Sequence, residues 1–239
     1  MNGTVAIVTG GSRGIGAATV ARLHAAGYLV VFSYRSDADA ARRVAASTMS
    51  VAVRADVSEE ADVVRLFHAA DELGAPLGAL VNNAAIVAPA STVADLTVER
   101  IRRILDVNVL GAFLCCREAV RRMHAGASIV NVGSIAARVG SGNQYVDYAA
   151  SKAAVDTLTL GLAAEVAAAG IRVNCVRPGV IDTDIHASGG DPGRAERLAP
   201  TIPMGRPGTP AEIAAVITWL CSDEASYLTG AVIDAGGGR

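Results

Sequence analysis

Short apolar runs alternate with longer amphipathic stretches along the entire chain. The runs are rich in β-branched residues and are bounded by turn-forming residues, as buried strands are. They predict strands at residues 4–8, 28–33, 51–54, 79–81, 128–132, 172–176 and 231–234. The stretches between them carry apolar residues at helical spacing. They predict helices at residues 14–26, 38–47, 59–73, 98–107, 111–124, 149–169 and 210–221.

Strands that alternate singly with helices predict an α/β fold, with a parallel sheet covered by helices on both faces. We expect one domain over residues 1–239, because the composition does not change along the chain. In such sheets ligands bind at the carboxyl ends of the strands. Residues 182–207 interrupt the alternation with glycine and proline, and we expect them to form a lid over the substrate.

Composition and charge argue against several classes of function. A net charge of −2 gives no electrostatic reason to expect a nucleic acid or an anionic membrane as partner. The apolar runs are too short to span a membrane, and residues 1–4 lack the basic start of a signal peptide. The four cysteines have no metal-ligand spacing, and Cys115 and Cys116 are adjacent, which predicts a reduced, cytoplasmic protein without a metal site. His124 and His186 are expected at the surface or in the lid.

A glycine-rich turn, Thr9-Gly-Gly-Ser-Arg-Gly-Ile-Gly16, joins the first predicted strand to the first predicted helix. Gly10 allows a sharp turn, Gly14 allows a close approach to a pyrophosphate, and Gly16 allows the helix to pack closely on the strand. The helix N-terminus adds free N–H donors and a partial positive charge. The spacing is not G-x-G-x-x-G, so this turn alone fits a phosphate site and an ordinary loop about equally well.

The end of the second strand bears on the choice of cofactor. An acidic residue there would bind the ribose 2′-hydroxyl of NAD, whereas a basic residue would bind the 2′-phosphate of NADP. Arg35 and Ser36 come first and Arg13 is expected nearby, and two guanidinium groups at one place favour a phosphate. Asp37 is contrary evidence, although it also suits the N-cap of the next helix. We therefore expect NADP(H) rather than NAD(H).

Lys152 is the only lysine in the chain, and it follows Tyr148 by four residues near the start of a predicted helix. Side chains at that spacing lie on one helix face. An ammonium within about 4–6 Å lowers the pKa of a phenol by roughly 1–3 units, which suits acid–base catalysis near neutral pH. A surface tyrosine–lysine pair would have the same spacing, but it would not explain the rest of the chain.

Together these motifs resemble those of the short-chain dehydrogenase/reductase family. The resemblance covers essentially all of the chain and is carried by the glycine turn, the Asn82-Asn-Ala turn, Tyr148-x-x-x-Lys152 and Pro178-Gly179. It implies a three-layer extended Rossmann fold with a doubly wound sheet of seven parallel strands. It also implies hydride transfer between a nicotinamide cofactor and a carbonyl or secondary alcohol.

The resemblance also assigns roles to residues. Tyr148 would exchange a proton with the substrate oxygen, and Lys152 would lower the phenol pKa and hold the nicotinamide ribose. Ser134 would orient the substrate oxygen, and Asn108 would anchor a water chain leading from Lys152. The cofactor-binding set would be Gly10, Ser12, Arg13, Gly14, Ile15, Gly16, Tyr34, Arg35, Ser36, Asp56 and Val57 by the adenine, Asn82 and Ala84 by the adenosine ribose, Tyr148, Lys152, Pro178, Gly179, and Ile181 and Thr183 by the carboxamide.

Several of these residues have structural alternatives. Asn82 and Asn83 suit an ordinary turn, Ser134 suits a cap, and Asn108 suits a break between two helices. Ala85 stands where the family usually has glycine, and we expect it to be tolerated. Tyr145 lies seven residues before Lys152, a spacing that matches the enoyl-reductase branch of the superfamily. Because Tyr148 is accompanied by Ser134, we assign Tyr148 as the acid–base residue.

The sequence leaves the substrate open. The family offers 3-oxoacyl thioesters on a carrier protein, sugars oxidised at the anomeric carbon, and small ketones or aldehydes. Arg194 and Arg197 either meet an anionic substrate or are merely solvated, and Arg121 with Arg122 is a weak sign of a carrier-protein dock. A dinucleotide sensor without chemistry is the non-enzyme alternative, and the complete Asn/Ser/Tyr/Lys set argues against it.

The sequence also predicts self-association. The helices predicted at residues 111–124 and 149–169 have wide apolar faces, and the resemblance implies that they pair between subunits in a homotetramer or homodimer. The residues of these faces are Phe113, Leu114, Val120, Val155, Leu158, Leu162 and Val166.

Overall fold

The computed structural model describes residues 3–183, 185 and 189–239, so residues 1–2 and His186 lie outside the described residues. This part of the chain contains one sheet of seven strands in the order β3-β2-β1-β4-β5-β6-β7, with every neighbouring pair parallel. The predicted single-domain, doubly wound fold is therefore confirmed. The strands are β1 (Val5–Val8), β2 (Leu29–Tyr34), β3 (Val51–Arg54), β4 (Leu77–Asn82), β5 (Ser128–Val132), β6 (Arg172–Pro178) and β7 (Val232–Ala235).

Helices cover both faces of the sheet. They are α1 (Gly14–Ala25), α2 (Ala38–Thr48), α3 (Glu60–Asp71), α4 (Val98–Leu105), α5 (Gly111–Val120), α6 (Ala136–Val139), α7 (Val146–Val166), α8 (Arg194–Leu198) and α9 (Pro210–Cys221). Successive strand residues point to opposite faces, so Ile7 packs with α3, α5 and α7, whereas Val8 packs with α1 and α9. No helix among the described residues is long and apolar enough to cross a membrane.

The sequence predicted a break between α4 and α5, but the structure joins them through a π-helical segment, Asp106–Leu110. This wider turn contains Asn108, whose side chain bonds to the loop after β4. Such π-helical segments are frequent at functional sites. The predicted interruption is therefore a local change of helical pitch.

The helix that carries Tyr148 starts three residues earlier than the predicted residue 149. Asp147 stabilises this extra turn, because its Oδ1 accepts the Tyr148 N–H at 2.9 Å. Arg100 of α4 binds the same carboxylate through two nitrogens, at 2.7 and 3.2 Å. Tyr148 and Lys152 are consequently both inside α7, one turn apart.

Candidate active site

The carboxyl ends of the strands border a groove made of two adjoining cavities. One, of about 410 Å³, lies over the glycine turn, and the other, of about 320 Å³, lies over Tyr148. We call them the glycine-turn cavity and the tyrosine cavity. They are continuous because they share lining residues, among them Ile15, Asn83 and Thr183.

The predicted residues divide between the two cavities. The glycine-turn cavity is lined by Gly10, Ser12, Arg13, Gly14, Ile15, Gly16, Tyr34, Arg35, Ser36, Asp56, Val57, Ala84 and Thr183. The tyrosine cavity is lined by Ser134, Tyr148, Lys152, Pro178, Gly179 and Ile181, and again by Ile15 and Thr183. Asn82 and Asn108 lie outside both cavities and line a separate small cavity.

The glycine turn is braced against the loop that follows β4. Thr9 Oγ1 accepts the N–H groups of Asn83 and Ala84, at 3.0 and 2.9 Å. In return, Asn83 Nδ2 donates to the carbonyl oxygens of Thr9 and Gly10, at 2.9 and 3.0 Å. A Cβ at Gly16 would lie 2.1 Å from the Gly10 oxygen, so only glycine fits there. Asn83 is thus a bracing residue that the sequence treated only as a turn residue.

Basic groups lie at the end of β2, beside the glycine turn. Arg13, Arg35 and Ser36 line the same cavity. The Arg35 guanidinium is exposed and is only loosely paired, at 3.9 Å from Asp56 Oδ2. Asp37 Oδ1 accepts the Ala40 N–H at 2.8 Å and caps α2. The alternative role of Asp37 as an N-cap is therefore confirmed, and its carboxylate is engaged locally.

Asp56 is also engaged by its neighbours. Arg103 donates to Asp56 Oδ2 at 3.0 Å, and the Ser58 hydroxyl donates to Oδ1 at 2.6 Å. Burial raises the pKa of Asp56, but these hydrogen bonds outweigh it and bring the pKa below its usual range. Asp56 is therefore a fixed, ionised acceptor in the lining of the glycine-turn cavity.

Lys152 is buried under the tyrosine cavity. Its Nζ donates to the Val132 carbonyl oxygen at 2.7 Å and lies 5.8 Å from the centroid of the Tyr148 ring. Burial lowers the pKa of Lys152 to about 8, against the opposing charges of Cys175 and Asp156. A lysine that titrates near neutral pH is typical of functional sites.

The pKa of Tyr148 differs from the sequence expectation. Burial raises it above the ordinary value of a phenol, while a hydrogen bond with Ser134 lowers it. The expected lowering by Lys152 is not found, because the ammonium is directed at the Val132 carbonyl. Ser134 Oγ also accepts the Ala136 N–H at 3.1 Å, so Ser134 is both a cap and a lining residue of the tyrosine cavity.

Asn108 joins three segments of the chain. Its Oδ1 accepts the Ile86 N–H at 2.8 Å, and its Nδ2 donates to Ile86 O and to Ser151 Oγ, both at 3.0 Å. Ser151 Oγ in turn donates to the Tyr148 carbonyl oxygen at 2.7 Å. Asn108 therefore fixes the Tyr148 turn of α7 against the loop after β4.

The small cavity lies between Asn108, Lys152 and Asn82 and measures about 10 Å³. Asn82 Nδ2 donates to Asn131 Oδ1 at 2.9 Å, which turns its side chain into the sheet. The Asn82 side chain therefore does not line the glycine-turn cavity, and its expected place beside the adenosine ribose stays a prediction. Asn82 Oδ1 is buried and lacks a partner among the described residues. A cavity of this size has room for about one water.

Two further contacts at the site were not anticipated. Arg100 holds Asp147, and Arg194 of α8 lies over the ring of Tyr145, 4.9 Å from its centroid. Tyr145 and Tyr148 both line the tyrosine cavity, but the Ser134 bond belongs to Tyr148. These pairings join residues far apart in the chain and leave no local pattern that would reveal them. Within the described part of the chain, no group of His, Cys, Asp and Glu is arranged to hold a metal ion.

Comparison with known proteins gives matches over almost the full length. A family model described as "Enoyl-(Acyl carrier protein) reductase" matches residues 10–239. The oxidoreductase YgfF of Escherichia coli K12 is 54% identical over 98% of this chain and 99% of that protein. The 3beta-hydroxysteroid dehydrogenase 1 of Eggerthella lenta is 40% identical, over 100% of this chain and 94% of that protein. For acetoacetyl-CoA reductase of Shinella zoogloeoides it is 40%, over 98% of each.

Solved structures match equally well. A dehydrogenase/reductase from Sinorhizobium meliloti 1021 superposes with a TM-score of 0.93 at 34% identity, covering 100% of this chain and 95% of that one. A short-chain dehydrogenase from Burkholderia cenocepacia in complex with NADP superposes with a TM-score of 0.92 at 34% identity, covering 99% of this chain and 98% of that one. The 3-ketoacyl-(acyl-carrier-protein) reductase from Brucella melitensis, complexed with NADH, gives 0.92 at 33%, covering 100% and 98%.

Proposed function

The chain belongs to the short-chain dehydrogenase/reductase family and is an oxidoreductase of alcohol and carbonyl groups, and we propose that it transfers a hydride between NADP(H) and a ketone, an aldehyde or a secondary alcohol. One observation carries this proposal. A single continuous groove connects the braced glycine turn with Ser134, Tyr148 and Lys152. A nicotinamide cofactor, when bound, supplies or accepts the hydride.

The residues of the groove fit a dinucleotide. The N-terminus of α1 opens into the glycine-turn cavity, where the N–H groups of its first turn can donate to phosphate oxygens. A Cβ added at Gly14 would lie 3.3 Å from Thr183 Cγ2, across the groove. The φ of Gly14, +53°, also favours glycine. Arg13 and Arg35 supply positive charge at the β2 end, where a 2′-phosphate would be held. These features support NADP(H) over NAD(H).

Calorimetry with NADP(H) and NAD(H) tests the preference. We expect the wild-type protein to bind NADP(H) more tightly, and Arg35→Ala to weaken NADP(H) by roughly tenfold or more because it removes a charge-assisted contact. Binding of NAD(H) should change little in that variant. Equal or tighter NAD(H) binding by the wild type would contradict the phosphate site, and failure to bind either cofactor would contradict the enzyme.

We propose that Tyr148 is the acid–base residue and Ser134 the residue that orients the substrate oxygen. Ser134 accepts the Ala136 N–H and is hydrogen-bonded to Tyr148, so its hydroxyl lies beside the phenol, where it can turn to donate to a substrate oxygen. During reduction the Tyr148 hydroxyl gives its proton to the carbonyl oxygen, and Ser134 stabilises the charge that develops there. Lys152 holds the nicotinamide ribose and places a positive charge beneath the tyrosine cavity.

Proton supply follows from the small cavity. We assign one water to it, bound by the otherwise unpaired Asn82 Oδ1 and lying between Asn108 and Lys152. After Tyr148 has given its proton to the substrate, the phenolate would recover one from Lys152, and this water would pass a proton from solvent back to Lys152. Asn108 serves as the anchor of this relay and of the Tyr148 turn.

Substrate identity stays at the level of class. A small carbonyl compound fits a cavity of about 320 Å³, and 3-oxoacyl thioesters and sugars remain alternatives. A carrier-protein dock at Arg121 and Arg122 has little support, because both guanidinium groups pair with Glu118. The non-catalytic sensor is also weakly supported, since the Asn/Ser/Tyr/Lys set is complete.

We further propose a cytoplasmic homotetramer or homodimer with a substrate lid. The four cysteines are buried free thiols, which suits a reducing compartment. Among the described residues of the lid, Thr183, Ile185, Gly189, Arg194 and Leu198 line the tyrosine cavity.

A further inference from the structure

Two arginines on α8, three residues apart, have different electrostatic surroundings. Arg197 binds both oxygens of the Asp191 carboxylate, so its charge is neutralised locally. Arg194 donates one hydrogen bond, at 2.8 Å, to the neutral amide oxygen of Gln144. No described carboxylate lies within ion-pair distance of Arg194. Its charge is therefore left for a partner that the described residues do not supply.

The Arg194 guanidinium is also held in one orientation. It lies over the ring of Tyr145, 4.9 Å from the centroid, and Tyr145 itself is buried. This cation–π contact and the Gln144 bond restrain the guanidinium, and a restrained guanidinium suits bidentate binding of a carboxylate. An arginine has five N–H donors and only one of these is used on Gln144, so donors are available for a ligand.

The cavity that Arg194 faces is the one that holds the acid–base pair. Arg194 and Tyr148 line it together. Its described lining includes the cationic side chains of Lys152 and Arg194 and no aspartate or glutamate, while Arg239 brings both its guanidinium and the α-carboxylate of the last residue. Lys152 is buried and donates to the Val132 carbonyl, and its other donors are assigned to the nicotinamide ribose, which leaves Arg194 for an anion. A cavity with this charge distribution favours an anionic substrate over a neutral one.

We infer that Arg194 is a subsite for a carboxylate carried by the substrate at a distance from its reacting carbonyl. The inference rests on the proposed function, because it places the carbonyl at Tyr148 and Ser134. The substrates are then oxo acids, and the products are the corresponding hydroxy acids. A hydride from the reduced cofactor goes to the carbonyl carbon and a proton from Tyr148 to its oxygen, while the carboxylate is unchanged.

Kinetics with matched acids and esters test this inference. The probes are 3-oxobutanoate, 4-oxopentanoate, 5-oxohexanoate and 6-oxoheptanoate, each compared with its methyl ester. We expect at least one acid to exceed its ester in kcat/KM, and Arg194→Gln to lower kcat/KM for that acid by about 10- to 100-fold, as expected for one charge-assisted contact. The ester should be unaffected. Arg197→Gln is the matched control and should leave both rates unchanged.

Binding without turnover separates this inference from the proposed reaction. Hexanoate and hexanamide are titrated into the protein saturated with NADP⁺ or, if that does not bind, NAD⁺. Tighter binding of hexanoate that is lost in Arg194→Gln supports the subsite, even if no oxo acid is reduced. Absence of turnover of every acid and ester would count against the reaction. Equal binding of hexanoate and hexanamide overturns the subsite. So does a result in which no acid exceeds its ester in kcat/KM and Arg194→Gln changes neither rate.

Discussion

At the scale of single residues, two tyrosines compete for one role. Tyr145 and Tyr148 face the same cavity, but Ser134 bonds to Tyr148, and Tyr145 lies beneath Arg194. We predict that Tyr148→Phe lowers kcat by about 10²- to 10⁴-fold, the range for loss of a general acid. Tyr145→Phe should keep most of the activity. Stopped-flow reduction of a responsive carbonyl measures both, and the reverse pattern would place the protein with the enoyl reductases.

The lowered pKa of Lys152 predicts how the free energy of unfolding depends on pH. Burial lowers its pKa from 10.5 to about 8, so between these values the unfolded chain holds the proton and the folded chain does not. Unfolding then takes up a proton, and the contribution of Lys152 to stability rises with pH across this window, by at most about 1.4 kcal/mol per pH unit. Below pH 8 this contribution does not change with pH, because Lys152 is charged in both the folded and the unfolded chain.

Urea unfolding of the wild type and of Lys152→Met, at intervals from pH 7 to pH 10, measures this contribution as a difference. The variant lacks the titrating group, so contributions of other side chains largely cancel. We expect the free energy of unfolding of the wild type to increase relative to that of the variant above pH 8. A difference that does not change with pH would mean that Lys152 keeps an ordinary pKa in the folded protein.

Residue types and spacings in the sequence were enough to predict that Ser134, Tyr148, Lys152 and most of the other candidate residues lie along one groove. They were not enough for Asn82 and Asn83, which are adjacent but point in opposite directions. Asn82 is in register with Asn131 on β5 and bonds to it, whereas Asn83 braces the glycine turn. Which asparagine faces the groove depends on the last residue of β4, and strand ends are poorly defined by sequence.

At the scale of elements, α4 and α7 are tied together beside Tyr148, the proposed acid–base residue. Arg100 bonds to Asp147 and also donates to the Pro89 carbonyl oxygen, at 2.6 Å, in the loop after β4. The Asp147 side chain is almost completely buried. Its pKa is raised by burial but lowered further by Arg100 and the Tyr148 N–H, so it stays ionised. Arg100 is therefore a positioning residue for the first turn of α7.

We predict that Arg100→Ala destabilises the protein by about 3 kcal/mol, because it leaves a buried carboxylate without its counterion. It should lower kcat about tenfold, as expected for a loosened catalytic geometry, and leave cofactor affinity unchanged, since Arg100 does not line the glycine-turn cavity. Arg102→Ala, on the exposed side of the same helix, is the control.

Chemical denaturation and steady-state kinetics measure these effects, and Arg100→Lys should restore part of kcat. An unchanged kcat in a destabilised Arg100→Ala would show that the pair is purely structural. A weakened cofactor affinity would point to a wider disturbance of the groove.

Hydrophobic periodicity was sufficient to predict the order of the major strands and helices. It misplaced the start of α7, because the extra turn depends on Asp147, a residue held by a partner 47 positions away. It also split α4 from α5 at Asn108, because the side-chain bonds that stabilise the π-helical segment reach Ile86, which lies outside both helices. Local pattern fails where a tertiary contact sets the boundary.

At the scale of the whole molecule, the apolar faces of α5 and α7 differ in detail from expectation. Leu114, Val155 and Val166 are buried in the protein's own core, whereas Phe113 and Leu160 are about half exposed, at 50% and 52%. Exposed apolar side chains on helices expected to pair between subunits support self-association. The core residues could not be separated from the interface residues by helical spacing alone.

We predict that the wild type is a dimer or tetramer, and that Phe113→Glu combined with Leu160→Glu shifts it to smaller species, because two charges per subunit would be buried without partners. Light scattering at micromolar concentration measures the mass. Val139→Glu, an exposed apolar position on α6, is the control. A wild type that is a stable monomer would contradict the proposal.

The solitary lysine has a consequence for the protein's surface chemistry. Lys152 carries the chain's only side-chain amine, and it is 3% exposed. Activated esters, aldehyde cross-linkers and enzymes that acylate lysine or attach ubiquitin to it find no accessible lysine on the folded subunit. Acylation of Lys152, counted by mass spectrometry, then reports how often the floor of the groove is uncovered, without any knowledge of the substrate.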